Sequence, residues 1–322
     1  MQAKGIRFVT GTPKPLAIKI AKGETPSYLC QISVKNHKMA INQAQLVDLL
    51  TQYRSENWRG IQTPEWQRQI VLSMAEESEP SILARIAAHW TLPENPMVLD
   101  LGSGVGNFVV ACRNHGVQAF GVEPDRIGQG SKLSSLQIAG KRLDGAFAAA
   151  TGEQLPFRDS TFDLVVLDQV IEHVQSQKAV LAEALRVLKP SGAMYVACPN
   201  YLRFYEPHYK IFFFPLIPKF LGALYLRFRN RDPVMLRQLT YTTNGRVRSL
   251  VRRLGTRFID LNERGFLAKF VGQESQAASW KARVAQRLVR LPLVSRAVLS
   301  AASAFIRLRE GGSEFVVFRQ AG

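Results

Sequence analysis

The sequence predicts an α/β protein built on a doubly wound, mostly parallel sheet. Three observations lead there. Between Met97 and Asn200, short apolar runs alternate with stretches of helical spacing. The stretch Phe162–Asp168, "FDLVVLD", holds the continuous apolar run Leu164–Leu167, as in strands covered on both faces. A turn with glycine at every second position, Gly102, Gly104 and Gly106, joins the first strand to its helix. Repeated βα units of this length call for right-handed crossovers.

The first 90 residues read as a partly helical extension. "IRFVT" and "LAIKI" are β-prone pieces in an arm of Gly, Pro and Lys. Ala44–Tyr53 has helical spacing through Leu46, Leu49, Leu50 and Tyr53. Thr63-Pro64-Glu65 is a helix start, with a capping hydroxyl before Pro at the first turn. Ile82–Trp90 reads as a further helix, closed by Pro93 and Pro96.

Residues 91–200 form the core. "MVLDLG" is the first strand and Gly106–His115 its helix; "VQAFGVE" is the second strand and Arg126–Ala139 its helix. "GAFAAA" is a poorer third strand and "FDLVVLD" the fourth; Lys178–Leu188 is a helix, and "AMYVACP" the fifth strand. Residues 201–322 depart from the alternation: an aromatic segment, a helix over Thr243–Leu254, the strand "TRFIDL", a helical stretch Ser279–Leu308 broken near Pro292, and the strand "SEFVVFRQ".

Ligands of doubly wound sheets bind beyond the carboxyl ends of the strands. Glycines there remove Cβ atoms and permit positive φ, so the backbone can approach a ligand closely. The spacing here is G-x-G-x-G; the dinucleotide fingerprint G-x-G-x-x-G/A would need Gly or Ala where Asn107 stands. A glycine turn alone leaves a nucleoside-type ligand and a purely structural turn both open. Glu123 ends the second strand, where a carboxylate can accept hydrogen bonds from both ribose hydroxyls. A surface acid near a helix start is the competing reading.

"VLDLGSGVGNF", "FGVEPD", "ATGEQLPFRDSTFDLVVLDQVIEHV" and "EALRVLKPSGAMYVACPN" together resemble the successive motifs of class I S-adenosylmethionine-dependent methyltransferases of the small-molecule, methyltransferase type 11-like kind. The resemblance covers residues 97–200. It implies a Rossmann-like, seven-stranded sheet whose last strand is antiparallel, with "TRFIDL" and "SEFVVFRQ" as the final two strands and lid insertions in the C-terminal part. It implies S-adenosyl-L-methionine as cofactor. Asp100, Gly102, Ser103, Gly104 and Gly106 would cradle its methionine end, and Glu123 would hold the ribose. Gly152 and Glu153 would border the adenine through backbone groups, with Leu155 nearby. Many relatives carry Asp where Thr151 stands. The turn from Asp168 to His173 would face both the cofactor and the acceptor.

An oxygen or nitrogen acceptor can require a base, and "DQVIEHV" offers Glu172 and His173. Bracing the pocket is the alternative role for both. Ubiquinone-type O-methyltransferases and small-RNA 2′-O-methyltransferases are similar at this turn but show Glu-x-x-Glu-His. The first position here is Gln169, a poorer ligand for a hard cation, so no metal is expected and activity is expected to survive chelation. Tyr205, Glu206, His208 and Tyr209 are placed where related enzymes build the acceptor pocket, and His208 is a candidate second base. "PN…EPH" with the aromatic stretch after it is similar to methyltransferases of bacterial surface-glycan and lipid pathways.

The net charge of +17 is unevenly distributed. Residues 1–202 carry 20 Lys/Arg against 18 Asp/Glu; residues 203–322 carry 22 against 7. A basic last third suggests an anionic partner, or a solvated basic face with none. Phe212, Phe213, Phe214, Leu216, Ile217, Phe220, Leu221, Leu224 and Tyr225 are either lid packing or an interfacial segment whose neighbours Lys219, Arg227, Arg229 and Arg231 meet anionic lipid. "ARVAQRLVRLPLVSRAVLSAASAFIRLR" would add a second basic amphipathic element. The prolines and Lys219 argue against a spanning helix. Cys30, Cys112 and Cys198 are far apart and read as a reducing compartment with no disulfide framework. The resulting expectation is a cytoplasmic enzyme, peripheral on the membrane or free of it, acting on a small-molecule or lipid-linked acceptor. RNA methylation through the basic third and a non-catalytic, cofactor-binding membrane protein are the alternatives. Bunched aromatics fit RNA less well than an interleaved stacking platform would.

Overall fold

The structure, a computed structural model, describes residues 41–75, 81–124, 132–262 and 312–319. Its centre is a seven-stranded sheet: β1 Met97–Leu101, β2 Gln118–Glu123, β3 Phe147–Ala149, β4 Phe162–Asp168, β5 Leu188–Pro199, β6 Arg257–Asp260 and β7 Gly312–Phe318. The order is β3-β2-β1-β4-β5-β7-β6. Only β7 runs antiparallel to its neighbours, pairing with both β5 and β6. The expected fold class is therefore observed, including the antiparallel last strand.

Side chains alternate across the sheet. Leu99, Leu101, Val165, Leu167, Met194 and Val196 enter one apolar layer. It is closed by helices α6 Gln177–Val187 and α9 Asn244–Arg253. Val98, Leu164, Val166, Ala193 and Tyr195 enter the opposite layer with helices α3 Ser81–Ala87 and α4 Asn107–Asn114. Both faces are covered, which is why β4 carries the uninterrupted apolar run Leu164–Leu167. Order reverses between β1 and β4, and the crevice beyond their carboxyl ends is the natural ligand site.

Some boundaries differ from the sequence reading. The helix expected at Arg126–Ala139 is α5, Ser135–Arg142. Ser134 Oγ accepts from the Gln137 amide at 3.1 Å while Gln137 Oε1 accepts from the Ser134 amide at 2.8 Å, a capping box that fixes the start. The third strand has three residues instead of six because its flanking residues take part in turns. β5 starts at Leu188, earlier than "AMYVACP", because Leu188 pairs with Phe162 before an irregularity that resumes at Ala193–Leu164. Lys189, inside that irregularity, is held by Asp163 at 2.8 Å. The arm 1–40 and the expected helix Ser279–Leu308 lie outside the described residues.

The N-terminal extension packs on the core. Helices α1 Gln43–Asn57 and α2 Pro64–Ala75 contribute Leu46, Leu50, Val71 and Ala75 to a cluster with Val105 of the glycine turn and Ile138 of α5. Ile61 joins Tyr209, Phe213, Leu226 and Leu236 in another cluster. That cluster involves two helices the sequence reading did not mark, α7 Lys219–Phe228 and α8 Val234–Gln238. α7 begins directly after Pro218, which ends the extended aromatic run and leaves the following residues free to wind. Cys112 and Cys198 are free and buried, while Cys30 lies outside the described residues.

Candidate active site

The glycine turn follows β1 directly. Gly102, Gly104 and Gly106 all have positive φ, at 76°, 53° and 83°. They serve different purposes. A Cβ on Gly102 would meet Val170 Cγ2 at 2.6 Å, and one on Gly106 would meet Phe147 Cζ at 2.5 Å. Those two glycines permit packing against the turn after β4 and against β3. A Cβ on Gly104 would meet nothing within 4 Å. Gly104 therefore presents bare backbone to open space, as a loop that cradles a ligand must. Ser103 Oγ is buried without a protein partner.

Carboxylates surround the turn. Glu123, at the end of β2, accepts from the Gly104 amide at 2.9 Å and from Ser135 Oγ at 3.1 Å. It thus stands in register with the glycine turn, which the surface-acid reading would not require. Asp100 is 6% exposed, and burial, reinforced by the charges of Asp168 and Glu123, raises its pKa to about 8. A neutral acid poised to ionise suits a cationic ligand group beside it. Asp168, at the end of β4, opens to the cleft, and the protein mass around it raises its pKa as well.

The segment after β3 is tied down at several points. Gly152 is buried, and a Cβ there would meet Leu101 Cδ2 at 2.9 Å. The Glu153 carboxylate accepts from the amides of Gln175 and Ser176 at 3.1 and 3.3 Å, so its side chain caps the entry to α6. Leu155 belongs to the core layer and its amide donates to Glu183 at 3.0 Å. Arg186 holds this loop, donating to the carbonyls of Phe157 and Leu155 at 2.9 and 3.2 Å.

The turn after β4 carries Gln169, Glu172 and His173. Gln169 takes a positive φ of 58°, and its amide donates to the Ala197 carbonyl at 2.9 Å. Its side chain stays with Asp168, at 3.4 Å. Glu172 is fully buried, and neither carboxyl oxygen meets a hydrogen-bond partner among the described residues. Burial raises its pKa to about 7, partly offset by its own amide. His173 Nε2 lies 3.8 Å from Glu172 Oε1. Burial, then the neighbouring His208, lower the His173 pKa to about 4, which keeps the ring neutral at ordinary pH.

His208 arrives from the segment after β5. Its Nε2 is 3.3 Å from His173 Nε2, and its Nδ1 is 2.8 Å from Glu206 Oε1. Glu206 is fully buried and also accepts from the Tyr209 amide at 2.6 Å and from Tyr201 Oη at 3.3 Å. It orients His208 from behind. Glu206 and Tyr209 were expected to touch an acceptor; both are buried, and Tyr209 Oη donates to the Asp232 carbonyl at 2.7 Å. Tyr205 remains exposed.

The roles of three residues escaped the sequence reading. Arg142 is buried and donates to the Val105 carbonyl at 2.9 Å and to Asn107 Oδ1, bracing the glycine turn from α5. Tyr53 of α1 reaches Ser135 and the field of Glu123, and burial raises its pKa. Glu206, read from the sequence as an acceptor contact, orients His208 two residues on instead. Arg142 and Tyr53 have no local signal, since each is defined by a partner distant in sequence, although Tyr53 falls on the apolar face already marked on α1.

The Rossmann-like sheet with its antiparallel last strand carries a glycine turn after β1 and an acid at the end of β2. Residues 99–196 match the family described as "Methyltransferase domain". An uncharacterized methyltransferase of Mycobacterium leprae is 37% identical over 110 residues, 33% of this chain and 38% of that protein. One of Mycobacterium tuberculosis is 36% identical over 107 residues, 33% of this chain and 41% of that protein. The chain thus spans less than half the length of the curated relatives it matches. Among solved structures, the YcgJ protein of Bacillus subtilis is 17% identical, with a TM-score of 0.43 over 76% of this chain and 99% of its own. Phosphoethanolamine N-methyltransferase 2 of Haemonchus contortus, solved with S-adenosyl-L-methionine, is 15% identical, with a TM-score of 0.44 over 75% of this chain and 52% of its own.

Proposed function

We propose that this chain is an S-adenosylmethionine-dependent methyltransferase acting on a small, lipid-like or lipid-linked acceptor at an anionic membrane surface. The cofactor reading rests on Gly104, whose amide donates to Glu123 and beside which a Cβ would meet no atom of the described residues within 4 Å. The cofactor supplies an activated methyl group on a sulfonium. The chain's residues bind and orient. The glycine turn gives backbone close approach, Glu123 offers its carboxylate to ribose hydroxyls, and Asp100 ionises beside positive charge. His173 and His208 present imidazole nitrogens on the acceptor side, with Glu206 fixing the His208 ring, so a proton leaving the acceptor has a base within reach.

One surface supports the acceptor class. Phe204, Phe212, Phe214, Leu216, Phe220, Leu221, Leu224 and Phe228 are all exposed large apolar side chains. Phe204, Phe212 and Phe214 contact one another, with ring centroids 5.2 to 6.4 Å apart. Phe213 instead turns inward at 2% exposure, and α7 buries only Gly222 and Leu226, so the segment is lid on one side and apolar surface on the other. An open hollow of about 420 Å³ beside it is lined by Arg227, Arg231 and Arg237, with Asp232. Apolar residues beside guanidinium groups suit the headgroup boundary of an anionic bilayer. Among the described residues no helix is long and apolar enough to cross a membrane.

Incubation with methyl-labelled cofactor and fractionated cell extract tests the reading. Label entering the lipid fraction is the expected result; label in RNA, or binding of cofactor without turnover on any fraction, overturns it.

A further inference from the structure

Around Glu172, His173 and His208 the geometry exceeds what a base alone requires. Each offers one ligand atom, and these atoms all lie within 4.8 Å of one another. Two of the separations are 3.3 Å, between the His Nε2 atoms, and 3.8 Å, from His173 Nε2 to Glu172 Oε1. Ligands ~2.1 Å from a tetrahedral metal stand ~3.4 Å apart. Glu172 supplies a second, independent observation: it is fully buried, and among the described residues neither carboxyl oxygen has a hydrogen-bond partner. Such a group is costly unless something positive pairs with it.

We propose that Glu172, His173 and His208 hold a divalent cation of the borderline class that takes mixed imidazole and carboxylate ligands, such as Zn²⁺ or Co²⁺. Two nitrogens and one carboxylate oxygen match that class better than Mg²⁺ or Ca²⁺, which prefer all-oxygen shells. The partner behind the ligand is in place as well. His208 bonds to Glu206 through Nδ1 at 2.8 Å, which fixes the ring and leaves Nε2 for the metal. His173 is partly exposed, so the cluster is open on the solvent side, where the acceptor would complete the coordination. Gln169 argued against a metal in the sequence because it replaces a carboxylate. Position 169 lies outside this ligand set, and His208, distant in sequence, supplies a ligand that no local motif shows.

The inference rests on the methyltransferase reading for its purpose but not for its test. Full-length protein stripped with EDTA is titrated with Zn²⁺, Co²⁺ and Mg²⁺ by calorimetry, and Co²⁺ loading is followed by its visible absorption. S-adenosylmethionine affinity is measured on the same samples. One equivalent of Zn²⁺ or Co²⁺ should bind, at least ~100-fold more weakly in His173→Gln and His208→Gln, with cofactor affinity kept within about twofold. His173→Gln alters an exposed side chain, so it remains informative if His208→Gln fails to fold. No saturable binding of either ion, preference for Mg²⁺, or affinity unchanged by His173→Gln overturns the site. If cofactor binds and metal does not, the cation site fails and the methyltransferase reading stands. If metal binds and cofactor does not, the site stands and the methyltransferase reading fails.

Discussion

The glycine turn and the Glu172–His173–His208 cluster meet at Val170, whose side chain fills the place of a Cβ on Gly102. They are built by opposite means. The cofactor side is backbone: three positive-φ glycines, a strand end and an amide-to-carboxylate bond from Gly104 to Glu123. Its parts lie within 24 residues, from Asp100 to Glu123. The acceptor side is assembled from side chains of two segments 35 residues apart, His173 and His208, and buttressed by a buried carboxylate. A backbone cradle can bind a common donor in the same way whatever the acceptor. A side-chain cluster on a separate segment can change with the acceptor while the cradle stays intact.

The sharpest way to separate the two sides is Gly104→Val. The φ of 53° is uncomfortable for a β-branched residue, at about 1–2 kcal/mol, but no protein atom lies in the way. The variant should fold, with a small loss in melting temperature. Its methyls would occupy the space left for ligand, so cofactor affinity should fall ~100-fold or more, about 2.7 kcal/mol. Unchanged affinity by calorimetry would overturn the cradle. The same change at Gly102 or Gly106 would test packing instead, because Val170 and Phe147 already fill those places.

Asp100 gives a smaller, pH-resolved effect on the cofactor side. Its folded pKa of about 8 lies above the ordinary carboxylate value of ~3.9. A raised acid favours folding while protonated, so its contribution is full below about pH 4 and is lost progressively as pH climbs to about 8. Ligand-free protein should therefore lose stability across that window. A cationic cofactor group favours the carboxylate, so affinity should rise by up to ~tenfold per pH unit below 8 and then level off. Asp100→Asn should flatten both curves. Binding independent of pH between 6 and 9 in the unaltered protein would remove Asp100 from the site.

The same contrast decides what could be read from the sequence. The strands of the sheet were legible because alternating apolar runs and glycine turns are local patterns, whereas the antiparallel β7 came from the family resemblance and the strand order was not read at all. Glu123 was legible because it ends a strand that the pattern had already located. The start of α5 could have been read from Ser134 and Gln137, since a capping box is also local. Arg142 and Tyr53 were not legible, because their roles are hydrogen bonds or fields from distant residues, and a buried arginine resembles any other in sequence; Glu206 was marked as an acceptor contact, and its bond to His208 was not foreseen. His208 was legible as a candidate, but its pairing with His173 was not. In the aromatic segment, residue type showed an apolar stretch, whereas only the helix α7 separates inward Leu226 from outward Phe220 and Leu224.

That division supplies the smallest expected effect, and it concerns the acceptor side alone. Phe220 and Leu224 are 73% and 64% exposed on α7 and make no part of the core. Replacing both by Asp should move folding stability by no more than about 0.5 kcal/mol per site, as for other surface changes. Cofactor affinity should not move, since neither residue approaches the glycine turn. Binding to anionic vesicles should weaken ~5-fold, because two partly inserted side chains are lost and two negative charges now face the bilayer. The remaining affinity should fall with added salt, as expected when arginines such as Arg227 and Arg231 carry it. If the double variant sediments with vesicles as the unaltered chain does at every salt concentration, the exposed edge of α7 is not the docking surface. The apolar segment would then act only as a lid over the histidines.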